Sequence, residues 1–71
     1  MPIPNRLIEL RQARGWSQRE LAEQLGVSRQ TVISIERLRF DPSLPLAFRL
    51  AKVFDCRIED VFQVDDSADL S

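Results

Sequence analysis

The stretch Ser17-Gln18-Arg19-Glu20-Leu21-Ala22-Glu23-Gln24-Leu25-Gly26-Val27-Ser28-Arg29-Gln30-Thr31-Val32-Ile33-Ser34-Ile35-Glu36 decides how this chain folds. Ser17 and Glu20 have capping-box spacing: the hydroxyl accepts the Glu20 amide hydrogen and the carboxylate reaches back to the Ser17 amide. The helix they open carries Leu21, Ala22 and Leu25 on its inner face. It meets Gly26, which enters the left-handed region without a steric penalty and ends the helix. Ser28 then caps a second helix of about Arg29 to Glu36, with Val32 and Ile35 turned inward. At 100° per residue Gln30, Ile33, Ser34 and Arg37 point to the opposite side, with Arg29 at its edge.

Working outward, Asn5 caps an earlier helix reaching about Arg14, with Leu7 and Leu10 on one face and Gly15 as its stop. Trp16 reads as a corner-packing residue, since no second aromatic lies near it in sequence. On the other side Arg37 to Pro42 forms a loop, and Ser43 caps a helix to about Phe54 that tolerates Pro45 in its first turn. That helix is apolar over well over half its circumference, wider than the stripe one subunit's own core requires. Leu46, Leu50 and Val53 lie on one flank and Leu44, Phe48 and Ala51 toward the other. A last short helix of about Ile58 to Phe62 has Glu59 and Asp60 in its first turn, favourable to its dipole. The chain reads as all-α, with five helices.

With 71 residues this is one small domain, near the size at which a core buries only about 60% of the unfolded surface. One cysteine and no histidine leave little for a disulfide or a metal, so self-association is the remaining way to reinforce the core. No cofactor is expected. The longest apolar run stops at five residues, Leu44 to Phe48, far short of a membrane span, and Arg6, Glu9 and Arg11 interrupt any signal-like N-terminus. A cytoplasmic location is expected. Residues 1–54 carry 9 basic and 5 acidic side chains, whereas residues 55–71 carry 1 and 6. The basic surface therefore lies in the body, and the expected division is a functional and dimerisation domain over 1–64 and an acidic tail over 65–71. There is no histidine, tyrosine, phosphate-binding glycine loop or evident carboxylate pair with which to build an active site. Enzyme activity is not expected. Cys56 reads as a buried, inert thiol, lacking a second cysteine to resolve an oxidised form.

Two short helices joined by three residues including a glycine form a helix-turn-helix unit. Its first helix braces across a duplex backbone and its second offers N-terminal residues to base edges in the major groove. Arg29 and Gln30 are the side-chain types that match guanine O6/N7 and adenine N6/N7 bidentately, and Ile33 either meets a thymine methyl or packs on a neighbouring loop.

The residues Leu10-Arg11, Gly15-Trp16-Ser17-Gln18, Glu20-Leu21-Ala22, Leu25 to Val32, Ile35-Glu36 and Pro42-Ser43-Leu44 together resemble the Cro-like, lambda-repressor-like or XRE helix-turn-helix regulators, especially their small free-standing members. The resemblance covers about Asn5 to Phe62. It implies a five-helix bundle that binds a near-palindromic duplex operator as a homodimer, represses or activates transcription, and associates with the nucleoid when bound to DNA. By position it implies base-facing roles for Arg29, Gln30, Ile33 and Ser34, and phosphate contacts from Gln18, Ser28, Arg37 and Arg39. Arg11 and Glu36 look like the family's buried ion pair. The dimer interface is expected on the fourth and fifth helices through Phe48, Val61, Phe62 and Val64. Ile3 and Val64 are candidates for a short terminal ribbon, which Pro2 and Pro4 confine to an edge.

Two positions depart from the family pattern. Arg37-Leu38-Arg39 stands where Asn-Gly and a basic residue commonly end the third helix, and Leu38 takes a left-handed conformation only at a cost. A third helix one turn longer, or another loop path, is therefore expected. Asp55 similarly stands where glycine often closes the fourth helix. The competing function is a protein-interaction module, such as an antitoxin or adaptor subunit, on the same fold.

Overall fold

The computed structural model describes residues 3–63. Five helices follow one another, α1 Leu7–Ala13, α2 Gln18–Leu25, α3 Arg29–Glu36, α4 Leu44–Val53 and α5 Ile58–Val61. The Ser17 capping box is complete: Ser17 Oγ accepts from the Glu20 amide at 3.0 Å, and the Ser17 amide donates to Glu20 Oε1 at 2.8 Å. Ser28 and Ser43 cap α3 and α4 through the Thr31 and Leu46 amides. Asn5 acts one residue outside the geometric cap of α1, its Oδ1 accepting the Leu7 amide at 3.0 Å.

α1 to α4 all end in the same double hydrogen-bond pattern, the Schellman motif. Gly15 and Gly26 supply its left-handed residue for α1 and α2, at φ 71° and 74°. At the ends of α3 and α4 the same place is taken by Leu38, φ 58°, and Asp55, φ 53°. α3 stops at Glu36, the bound its spacing predicts, so neither the longer helix nor the other loop path expected from Leu38 occurs: Leu38 itself adopts the left-handed turn. Arg39 donates to the Ser34 carbonyl at 2.9 Å and Leu38 to the Ile35 carbonyl at 3.1 Å. These bonds satisfy carbonyls the helix end would otherwise leave open, offsetting a strain of about 1–2 kcal/mol at a non-glycine residue.

The core is centred on Leu7, Leu21, Leu25, Val32, Ile35, Leu50 and Val61, with at least one residue from every helix. Ala51 is buried with it, a correction to its expected place on the outer flank of α4, while Leu46 and Val53 pack partly against it. Trp16 does find an aromatic partner, though a distant one in sequence. Its ring lies 5.6 Å from that of Phe54, and the Arg14 guanidinium sits over both. Arg49 Nη1 donates to the Leu25 carbonyl at 2.9 Å, tying α4 to the end of α2.

The chain ends meet in a minimal antiparallel pairing. Asn5 bridges Phe62, Arg6 donates to the Val61 carbonyl and Gln63 to the Pro4 carbonyl, both at 2.8 Å. Ile3 instead donates its amide to Asp41 Oδ1 at 2.8 Å, and Val64 and the acidic tail lie outside the described residues. Among the described residues no helix is long and apolar enough to cross a membrane.

Candidate nucleic-acid interface

α2 and α3 are joined by Gly26, Val27 and Ser28. Val32 and Ile35 are fully buried and pin α3 against the bundle from behind. Arg29 and Gln30 are exposed in its first turn, and Ile33 and Ser34 are half-buried further along. Gln30 Nε2 donates to Ser34 Oγ at 3.4 Å, a long contact between neighbours one helical turn apart. Arg37 and Arg39 are exposed just beyond the helix end. Among the described residues, neither of these two nor Arg29 forms an ion pair, so their guanidinium groups are not committed to carboxylates.

Behind this face lies a polar chain that joins three helices. Arg11 Nε lies 2.7 Å from Glu36 Oε2, with side-chain exposures of 14% and 3%, and Arg11 Nη1 donates to the Trp16 carbonyl at 2.9 Å. The second Glu36 oxygen accepts from Gln18 Nε2 at 2.9 Å. Gln18 Oε1 in turn faces Arg29 Nη2 at 3.5 Å. Gln18 thus stands at the N-terminus of α2 beside the first residue of α3. Ser28 uses its hydroxyl oxygen to cap α3, accepting the Thr31 amide at 3.2 Å.

The sequence reading missed the two links from Glu36 through Gln18 to Arg29, and no periodicity could have announced them, since they cross from one helix to another. It also missed the second contact of Asn5, the helix cap, whose Nδ2 donates to the Ile35 carbonyl at 3.1 Å and so touches the end of α3.

The residues expected at a subunit interface separate into different places. Phe48 is 58% exposed and Leu44 beside it 64%, whereas Val61 is 0% and Phe62 7% exposed. Val61 belongs to the subunit's own core, because its side chain points from α5 into the bundle. Phe62 lines a cavity of about 320 Å³ between the N-terminal segment, α4 and α5, together with Ile3, Pro42, Leu44, Ala47 and Ile58. Asp41 and Glu59 stand at the same cavity.

Cys56 is half-buried, a correction to the buried thiol expected, and this partial burial raises its pKa above the ordinary range, with Asp60 and Asp55 adding to the effect and Arg14 opposing it. A protonated thiol is a poor nucleophile. Among the described residues no group of histidine, cysteine or acidic side chains is arranged to hold a metal.

Comparison with known proteins matches this arrangement. The helix-turn-helix family model HTH_3 covers residues 7–61. The chain is 50% identical over 64 residues to the uncharacterized HTH-type transcriptional regulator MJ0272 of Methanocaldococcus jannaschii, covering 90% of this chain and 97% of that one. It is 45% identical over 64 residues to the uncharacterized HTH-type transcriptional regulator YgzD of Bacillus subtilis, with the same coverage of 90% and 97%. Among solved structures it resembles the restriction-modification controller protein C.AhdI from Aeromonas hydrophila, with a TM-score of 0.70 and 37% identity over 76% of this chain and 82% of the other. With its five-helix bundle, its three-residue turn and the match over residues 7–61, the chain belongs to the XRE-type helix-turn-helix family of DNA-binding transcriptional regulators.

Proposed function

We propose that the protein is a sequence-specific repressor that binds duplex DNA as a homodimer, with α3 in the major groove of each half-site. The observation that carries this reading is the outward face of α3, where Arg29 and Gln30 stand exposed on a helix pinned from behind by Val32 and Ile35. Arg29 suits a guanine and Gln30 an adenine, while Ile33 and Ser34 complete the base-facing surface with a thymine methyl contact and a hydroxyl. Gln18, Ser28, Arg37 and Arg39 surround that surface and serve the phosphates, which position the protein without reading sequence.

The dimer is supported by α4, whose Leu44 and Phe48 stand exposed beside the apolar cavity that Phe62 lines. A second copy placed on this face would cover side chains that a monomer leaves in water. Two-fold symmetry then calls for a near-palindromic operator with half-sites about 34 Å apart. Such a protein works in the cytoplasm, on the nucleoid when bound, and its likeness to a controller protein supports a regulatory role.

Selection of random duplexes by the purified protein tests the reading. The expected result is one enriched near-palindrome whose affinity falls steeply with ionic strength, because phosphate contacts release counterions. No enriched motif at moderate salt would remove it. Tight, salt-insensitive binding to a protein partner in place of DNA would establish the interaction-module alternative.

A further inference from the structure

We infer that Glu36 is a specificity-determining positioning residue, which fixes the orientation of the Gln18 amide and through it the place of Arg29 on the reading surface. The inference rests on the proposed reading of DNA by α3 and adds a residue that faces the bundle and not the groove. An ionised carboxylate only accepts hydrogen bonds, and both Glu36 oxygens are engaged, Oε2 by Arg11 Nε at 2.7 Å and Oε1 by Gln18 Nε2 at 2.9 Å. The Gln18 amide can therefore present only its nitrogen to Glu36. Its oxygen must face the other way, and there Arg29 Nη2 stands at 3.5 Å. The reversed amide would set oxygen against carboxylate and NH2 against guanidinium, two repulsive contacts in place of two attractive ones.

The consequence is directional. Arg29 is a long, exposed side chain that loses rotamer freedom on contacting a base, and an acceptor already beside it removes part of that cost. Gln18 keeps its second amide hydrogen for a phosphate, so one side chain serves the backbone contact and the base-reading arginine together. Glu36 is the member that sets this polarity, because its side chain is 3% exposed and anchored by Arg11.

Two measurements on the full-length protein test it. In the free protein, relaxation of the Arg29 Nε–H should show a restricted guanidinium, freed by Gln18→Leu and by Glu36→Gln, in which the new amide gives its oxygen to Arg11 and turns its NH2 toward Gln18, so that the Gln18 amide reverses. On DNA, the affinity ratio between the selected site and the site changed at the base pair that Arg29→Ala identifies should fall by about three- to tenfold in either variant. Within an Arg29→Ala background neither should change that ratio further. Gln18→Leu alters a half-buried side chain at a helix start, so it keeps the test open if Glu36→Gln unfolds. An Arg29 as mobile in the unmodified protein as in Gln18→Leu overturns the inference whatever the DNA result. A relaxed preference for Arg29→Ala with none for Gln18→Leu overturns it while leaving the DNA reading intact. An unmodified protein without sequence preference overturns both.

Discussion

Asn5 donates its side-chain amide to the Ile35 carbonyl at 3.1 Å while its oxygen accepts the Leu7 amide hydrogen at 3.0 Å. One residue thereby starts α1 and holds the last turn of α3, and its backbone also bridges Phe62 beyond α5. Replacing Asn5 by Ala removes a cap and one of two donors to the Ile35 carbonyl, which keeps the Leu38 amide, with an expected loss of about 1–2 kcal/mol. Asn5→Asp keeps the acceptor for the Leu7 amide but sets a carboxylate oxygen against the Ile35 carbonyl, so it too should lose stability. Urea unfolding gives the comparison: equal losses would show that the cap contributes no more than that opposition costs, and an Asn5→Asp variant as stable as the unmodified protein would show that the bond to Ile35 contributes nothing.

The ion pair behind α3 sets a second expectation. Arg11→Ala leaves the Glu36 carboxylate buried with only Gln18 as a partner, so stability should fall by about 3–5 kcal/mol, less if water enters the space. A thermal midpoint unchanged from that of the unmodified protein would contradict the burial.

Leu38 stores backbone strain that glycine would relieve. Leu38→Gly should raise stability by up to about 1 kcal/mol, since the leucine is 41% exposed and little packing is lost. Gly26→Ala should have the opposite sign with a similar size. An added Cβ there meets nothing closer than Arg49 Nη1 at 3.8 Å, so its cost is conformational and not steric. Urea midpoints at constant slope give both values.

Phe48 and Phe62 should separate assembly from folding. Phe62→Asp buries a charge in the core and should unfold the domain, at a cost of about 4 kcal/mol or more. Phe48→Asp changes an exposed side chain, so helicity should persist while sedimentation shifts from dimer to monomer at micromolar concentration. A stable monomer for the unmodified protein, with DNA binding intact, would exclude the proposed interface.

The capping box has a pH signature. Hydrogen bonds from the Ser17 backbone and side chain hold the Glu20 carboxyl below the usual glutamate range. With its folded pKa below the unfolded value, its stabilisation is fully present above the unfolded pKa, about 4.3, and is lost as pH falls through the folded value. The advantage of the unmodified protein over Glu20→Gln should therefore be constant near neutrality and shrink in acid. A difference that stays flat down to about pH 3 would rule out the charged cap.

The helices were legible in the sequence because their signals are local. Ser17, Ser28 and Ser43 cap, Gly15 and Gly26 stop, and Leu21, Leu25, Val32 and Ile35 keep helical spacing, all within one or two turns of the backbone they direct. The exposed Arg29 and Gln30 were legible for the same reason, since a helix with a known inner face has a known outer one. Features that depend on contacts between distant segments were not. Leu38 is a local exception: its cost argued against a left-handed turn, but two amide hydrogens just beyond the helix satisfy its last carbonyls and hold the turn. Ala51 and Val61 looked available on their own helices, yet the angle at which α4 and α5 meet the bundle turns them inward and leaves Leu44 and Phe48 in water. The Arg11–Glu36 pair was expected from the resemblance, but the links from Glu36 through Gln18 to Arg29 were not; they cross between α2 and α3, and Gln18 meets Glu36 across 18 residues of sequence. Periodicity determines which side of a helix is apolar; only packing determines which of its neighbours the polar side meets.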